Sequence, residues 1–202
     1  MTAEDDHIPS RGRTFVFDTS ALHHAALAER LDVLGDLVCD ATCVTTRAVL
    51  DELGRNSATR PQLREVERQA WLGEVRVDGL NEIRRVVDWA RRLEVGTRDH
   101  GEATVLAYAE AHGAVAIVDD RRARRRAEQV GVATHGSLWL IARACRNGRV
   151  TGAGAAGLID ALADAGARLP CDGAGFRRWA AARGMLPDAD EIAGARRSAV
   201  GG

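Results

Sequence analysis

Two apolar runs that end abruptly on acids constrain this chain more than any other feature: Thr14-Phe-Val-Phe-Asp18, and Ala114-Val-Ala-Ile-Val118 followed by Asp119-Asp120. Short runs rich in Val, Ile and Phe, closed by polar residues, read as buried strands. Each delivers a carboxylate to the edge of a sheet. An ionised Asp in such a place costs several kcal/mol unless it is hydrogen-bonded, paired or bound to a cation. The acids able to converge on Asp18 are Glu52, Glu102 and the pair Asp119-Asp120.

The segments between these runs read mostly as helices. After the first strand, Leu27, Leu31 and Leu34 recur at helical spacing, which predicts a helix over residues 21–37 with Thr19 and Ser20 placed to cap it. A second strand is expected over 41–45, then a helix from Arg47 with Gly54 as its stop. Val49, Leu50 and Leu53 form the inward stripe of that helix, with Glu52 at its flank. Further on, a helix over 64–72, a strand over 74–77 and a helix over 83–93 are expected, the last carrying Ile83, Val86, Val87 and Ala90.

A helix over 101–112 buries Val105, Leu106 and Ala109 and carries Glu102 in its first turn, where the helix dipole favours an anion. Beyond the second acidic run come a helix over 121–130 with Ala123, Ala127 and Val130 inward, a strand over 132–134 and an apolar helix over 138–145. Strands alternating with helices predict an α/β fold whose central sheet is parallel. Past Gly148 the chain turns rich in Ala, Gly and Arg, with helices expected over 155–165 and 175–183. The organisation expected is therefore a loose leader (1–13), an α/β domain (14–148), a helical extension packed on it (149–187) and a disordered tail (188–202).

The net charge is −1, so any attraction for a polyanion has to come from a local patch. All 28 basic residues are Arg, a bidentate phosphate ligand, although such uniform use reads first as gene composition. Cysteines at 39, 43, 145 and 171 form no CxxC pair and read as reduced thiols. No apolar run is long enough for export or membrane spanning, which makes the cytoplasm the expected location.

Ligands of doubly wound sheets bind outside the carboxyl ends of the strands. Several carboxylates gathered on that rim repel one another unless a divalent cation neutralises them, and all-oxygen ligation selects Mg²⁺ or Mn²⁺. The chemistry that matches is phosphodiester hydrolysis. Five arginines within residues 121–126 lie where a backbone would pass, Arg121 and Arg122 nearest the acids. His23 and His24 read as surface or capping residues, and Trp71, Trp89, Trp139 and Trp179 as packing residues. Gly152, Gly154 and Gly157 follow no strand and make no dinucleotide fingerprint. A phosphatase with Asp18 as nucleophile is disfavoured, because position 20 is Ser rather than a second Asp.

On four stretches the chain resembles the PIN-domain ribonucleases, the fold of the VapC-type toxins: Phe15-Val-Phe-Asp18-Thr-Ser, Val49-Leu-Asp-Glu52-Leu, Gly101-Glu102-Ala and Ile117-Val-Asp-Asp120-Arg. The spacing of eighteen positions from Glu102 to Asp120 is the common one, although Glu stands at 102 where Asp is more frequent. The resemblance implies a three-layer α/β/α sandwich with a central parallel sheet, and endonucleolytic cleavage of RNA dependent on Mg²⁺ or Mn²⁺. It assigns Asp18, Glu52, Glu102 and Asp120 to catalysis, with Asp18, Glu102, Asp120 and Asp119 as the metal set. Ser20, Arg121 and Arg122 are the substrate-binding residues expected. A small antitoxin partner and a homodimer are further implications, with the helix over 138–145 as a contact face. The rival expectation is a PIN-like RNA- or metal-binding regulatory module with little or no catalysis.

Overall fold

Phe15, Val16 and Phe17 are fully buried, and the strand they form, β1 (Thr14–Phe17), is the middle of a five-stranded sheet. The computed structural model describes residues 13–94 and 100–187, so the leader before Arg13 and the tail from 188 lie outside the described residues. The other strands are β2 (Thr42–Thr46), β3 (Leu72–Val75), β4 (Val115–Ile117) and β5 (Thr134–His135), in the order β3-β2-β1-β4-β5. Every pairing is parallel; Phe15 aligns with Cys43 on one side and with Val115 on the other. Parallel neighbours require crossovers, and helices supply them, giving the three-layer α/β/α architecture.

The helices of this part are α1 (Thr19–Leu27), α2 (Leu31–Leu37), α3 (Arg47–Asn56), α4 (Leu80–Leu93), α5 (Gly101–His112) and α6 (Arg121–Glu128), with a 3₁₀ segment at Pro61–Arg68. The one helix expected over 21–37 is two. Arg30 N–H bonds to Ala25 O (2.8 Å) and Glu29 N–H to Ala26 O (3.0 Å), a complete Schellman stop with Glu29 at φ 54°. Gly54, expected to end α3, lies inside it without a positive φ, and the helix runs on to Asn56. The helix expected over 64–72 is the 3₁₀ segment, and the strand expected over 74–77 starts at Leu72.

On α4 the inward side is set by Trp89 and Leu93, both buried, while Ile83 and Val87 are each 44 % exposed. Trp89 displaces them because its ring is the larger apolar body and its Nε1–H finds Glu110 Oε2 on α5 at 2.8 Å. Val130 also faces outward, because the chain leaves α6 after Glu128 and reverses through Gly131 at φ 77°.

The described residues fall into two compact units that part between Ser137 and Leu138, earlier than the boundary expected near Gly148. Thus α7 (Ser137–Arg146) goes almost wholly with the second unit, together with α8 (Gly152–Asp164) and α9 (Gly173–Ala181). Within it the α9 start is pressed against α8: Gly173 N–H bonds to Asp160 Oδ1 at 2.8 Å, and a Cβ at 173 would collide with the Ala156 carbonyl. On α7 Leu138, Leu140, Ile141, Ala142 and Ala144 are buried, while Trp139 and Cys145 are half-buried. Among the described residues no helix is long and apolar enough to cross a membrane.

Glu29 adopts a left-handed conformation that costs an L-residue roughly 1 kcal/mol and glycine little. Glu29→Gly is therefore expected to raise unfolding free energy in urea by up to about 1 kcal/mol; a loss of stability would show that the side chain, not the stop, holds the turn.

Candidate functional site

The chain runs from β1 outward to β2 and β3, then crosses back to place β4 on the other side of β1, so the sheet reverses direction between β1 and β4. Such a reversal opens a crevice at the strands' carboxyl ends. Asp18 follows β1 directly, its N–H bonding to Ile117 O of β4 at 3.0 Å, and Asp120 stands just past β4. Both acids are helix N-caps. Asp18 Oδ2 accepts from Ser20 N–H (3.3 Å) and Ser20 Oγ–H (2.8 Å), and Asp120 Oδ1 accepts from the amides of Arg122 (2.7 Å) and Ala123 (2.9 Å). Thr19 and Ser20, expected as caps, instead lie in the first turn of α1.

Glu52 reaches the crevice from α3 and is held there by Thr19, whose hydroxyl donates to Glu52 Oε2 at 2.8 Å. The first turn of α5 closes on the same pair. A Cβ at Gly101 would lie 2.5 Å from Glu52 Oε2 and 2.9 Å from Thr19 Oγ1, so a side chain there would push the Glu52 carboxylate off its Thr19 bond. A buried hydroxyl relay fixes the two helices relative to each other. Thr104 Oγ–H donates to Gly101 O (2.7 Å), so in the Thr46–Thr104 contact (2.7 Å) Thr46 is the donor, while Thr46 Oγ itself accepts from Val49 N–H (3.4 Å). One chain of bonds thus joins the start of α3 to the start of α5.

Asp18, Thr19, Ser20, His23, His24, Glu52, Glu102 and Asp120 line one cleft of about 380 Å³. Four of the acids and Ser20 are therefore brought together. Asp119 is not with them: its Oδ1 accepts from Ser137 N–H and its Oδ2 from Ser137 Oγ–H, both at 2.7 Å, which commits the carboxylate to the turn before α7. Arg121 and Arg122 are exposed at the start of α6. Arg122 is engaged through Nη2 with Glu94 Oε2 at 2.6 Å, and Arg124 folds back onto Val118 O at the same distance. Thr19, Thr46 and Thr104 were given no functional part from the sequence, and the two histidines no cleft position. Adjacency to Asp18 was the one signal available, and only for Thr19 and the histidines.

Burial pushes the Asp18 carboxyl up to about 6, against the lowering effect of the Ser20 bonds, with Glu52 raising it further. Glu102 is pushed up to about 8, first by burial, then by repulsion from Asp18, Asp120 and Glu52, with Arg122 offsetting only part. A set of hard oxygen donors whose repulsion of Glu102 is only partly offset by Arg122 fits a divalent cation. Among the described residues, no three acid, histidine or cysteine side chains are drawn together tightly enough to hold an ion as they stand.

A carboxyl with a raised folded pKa leaves stability intact below its unfolded pKa, and loses it as pH climbs towards the folded value. Without divalent ions, Asp18 and Glu102 are therefore expected to cost the fold increasing stability between about pH 4 and pH 8. Asn at 18 still caps α1 but carries no charge, so Asp18→Asn gains about 1–3 kcal/mol on the wild type between pH 4 and pH 8. Paired urea titrations at the two pH values check this; equal stability differences at both would mean that the buried charge is already compensated.

No curated protein matches the chain. The PIN domain family does, over residues 14–173, from the start of β1 to the start of α9. PIN domains are generally nucleases and typically use divalent metals. With a parallel sheet that reverses between β1 and β4, four carboxylates at that reversal and a match across most of its length, the chain belongs to the PIN domain family.

Proposed function

We propose that the protein is a metal-dependent endoribonuclease. The observation that carries the reading is the gathering of Asp18, Glu52, Glu102 and Asp120 in one cleft, where burial and repulsion push Glu102 up to about 8. Asp18, Glu102 and Asp120 would hold Mg²⁺ or Mn²⁺; when bound, the ion supplies a water of lowered pKa and neutralises charge growing on phosphate oxygens. Asp120 spends Oδ1 on the α6 amides and keeps Oδ2 for the cleft. Glu52, fixed by Thr19, would orient the attacking water. Ser20 holds the Asp18 carboxylate in place and, with Arg121 and Arg122, borders the path of the substrate.

Purified protein is expected to cut a mixed RNA pool in Mg²⁺ or Mn²⁺ and not in EDTA, with Asp18→Asn and Asp120→Asn each slowing cleavage at least about a hundredfold. Cation-dependent RNA binding without cutting by the wild type would favour a regulatory module instead.

The sequence resemblance extends the proposal to the toxin of a toxin–antitoxin pair, with a small antitoxin protein as partner. Induced in bacterial cells, the wild-type chain is expected to arrest growth and Asp18→Asn to be tolerated. Equal tolerance of both, with the nuclease active in vitro, would remove the toxin role and leave the enzyme.

A further inference from the structure

A cleft lined by four carboxylates repels a phosphodiester strand, so cations on its rim have to hold the strand over the acids. On the α6 side Arg122 is already paired with Glu94. The other side offers a pair that the nuclease reading leaves unused. His23 lines the cleft, one helical turn beyond Ser20, and its Nε2 lies 3.2 Å from Arg60 Nη1. A guanidinium only donates, so Arg60 is the donor and His23 Nε2 the acceptor, which puts the proton of the neutral ring on Nδ1. Burial first, then His24 and Arg60, hold the His23 pKa below its usual value, in keeping with that neutral form.

Arg60 is placed by its backbone as firmly as by His23. It stands directly before Pro61, its N–H bonds to Asn56 O (3.2 Å), and its carbonyl accepts from Leu63 N–H (3.1 Å) at the start of the 3₁₀ segment, which packs against α1. The guanidinium is exposed, and among the described residues it forms no ion pair with a carboxylate, unlike Arg47, Arg68 and Arg122. A neutral acceptor orients the charge without cancelling it.

We propose that Arg60, oriented by His23, grips a phosphate of the single-stranded RNA that flanks the bond lying over the acids. Arg60 is then a substrate-binding residue and His23 a positioning residue. The inference rests on the nuclease reading for the identity of the occupant. Arg60 adjoins the cleft through His23, and exposed Arg121 directly follows Asp120, so that a strand held by both would cross from α1 to α6 with its scissile phosphate over Asp18 and Glu102.

The test separates binding from cutting. Binding of a fluorescent mixed-sequence single-stranded RNA to the Asp18→Asn chain is titrated in Mg²⁺ at several salt concentrations. Adding Arg60→Ala is expected to weaken binding about fivefold to tenfold and to reduce the slope of log Kd against log salt by about 0.7, one single-strand phosphate contact. Arg84→Ala on α4 removes the same charge away from the cleft and is expected to leave the slope unchanged. In the Asp18-intact enzyme Arg60→Ala raises KM while kcat falls less than about twofold. His23→Phe does the same, His23→Gln restores the acceptor and with it the wild-type KM, and the His23→Phe/Arg60→Ala chain is no worse than Arg60→Ala alone. An unchanged salt slope in Arg60→Ala, or the absence of salt-dependent RNA binding in its parent, overturns the proposal. A wild type that binds RNA with the expected slope but never cuts overturns the nuclease reading and leaves Arg60 as a phosphate contact.

Discussion

The Asp18 carboxylate is 5 % exposed and takes its hydrogen bonds from neutral donors: the Thr19 and Ser20 amides and the Ser20 hydroxyl. Those donors exist because a strand ends there and a helix begins. The orphan amides of the α1 first turn are polar groups that a β1–α1 corner brings to this spot without further chain, and an Asp in extended conformation is well suited to meet them. The corner is repeated at β4–α6, where Asp120 meets the Arg122 and Ala123 amides. Two adjacent parallel strands, each followed by an acid-capped helix, set two carboxylates side by side at the reversal of the sheet. The fold thus creates the repulsion that a cation would relieve.

Holding that repulsion in place falls to groups carrying no charge of their own. Thr19 fixes Glu52, and the Thr46–Thr104 relay locks the α3 start to the α5 start, carrying Glu52 and Glu102 with them. Gly101 keeps the approach close by having no side chain. Short, neutral hydroxyl side chains suit this role because they satisfy buried backbone groups, add no net charge to a crowded site, and lose little rotamer freedom when fixed. Asp119 shows the contrast. It follows the same strand as Asp120, yet Ser137 offers it both an amide and a hydroxyl, and a carboxylate satisfied twice has no reason to turn to the cleft.

What could be read from the sequence was what depends on near neighbours. The short apolar runs of β1 and β4, and the stripe of Val49, Leu50 and Leu53, are local patterns, and the strands and α3 follow them. The four cleft acids could be named because each closes a strand or opens or flanks a helix. The features missed depend on residues far apart. Asp119 and Ser137 are 18 positions apart, His23 and Arg60 37, and Thr46 and Thr104 58. The stop at Glu29 was hidden for another reason: its hydrogen bonds are those of a glycine-terminated helix, but the residue in the left-handed position is not glycine, so nothing in the composition marks the break. On α4, the apolar period allowed two faces, and Trp89 decided between them through a partner on α5.

The same dependence on distant partners governs how a nearly neutral chain can hold a polyanion. In sequence the arginines of 121–126 look like one basic patch. In the fold they are divided: Arg122 is paired with Glu94, and Arg124 is turned onto a backbone carbonyl. A surface whose charges alternate in sign over a few ångströms exerts little field beyond a Debye length of about 8 Å. Under the proposed function, a strand approaching this cleft is drawn by individual rim side chains that retain their charge, and the number of such groups, rather than the count of arginines, sets how steeply its affinity would fall with salt.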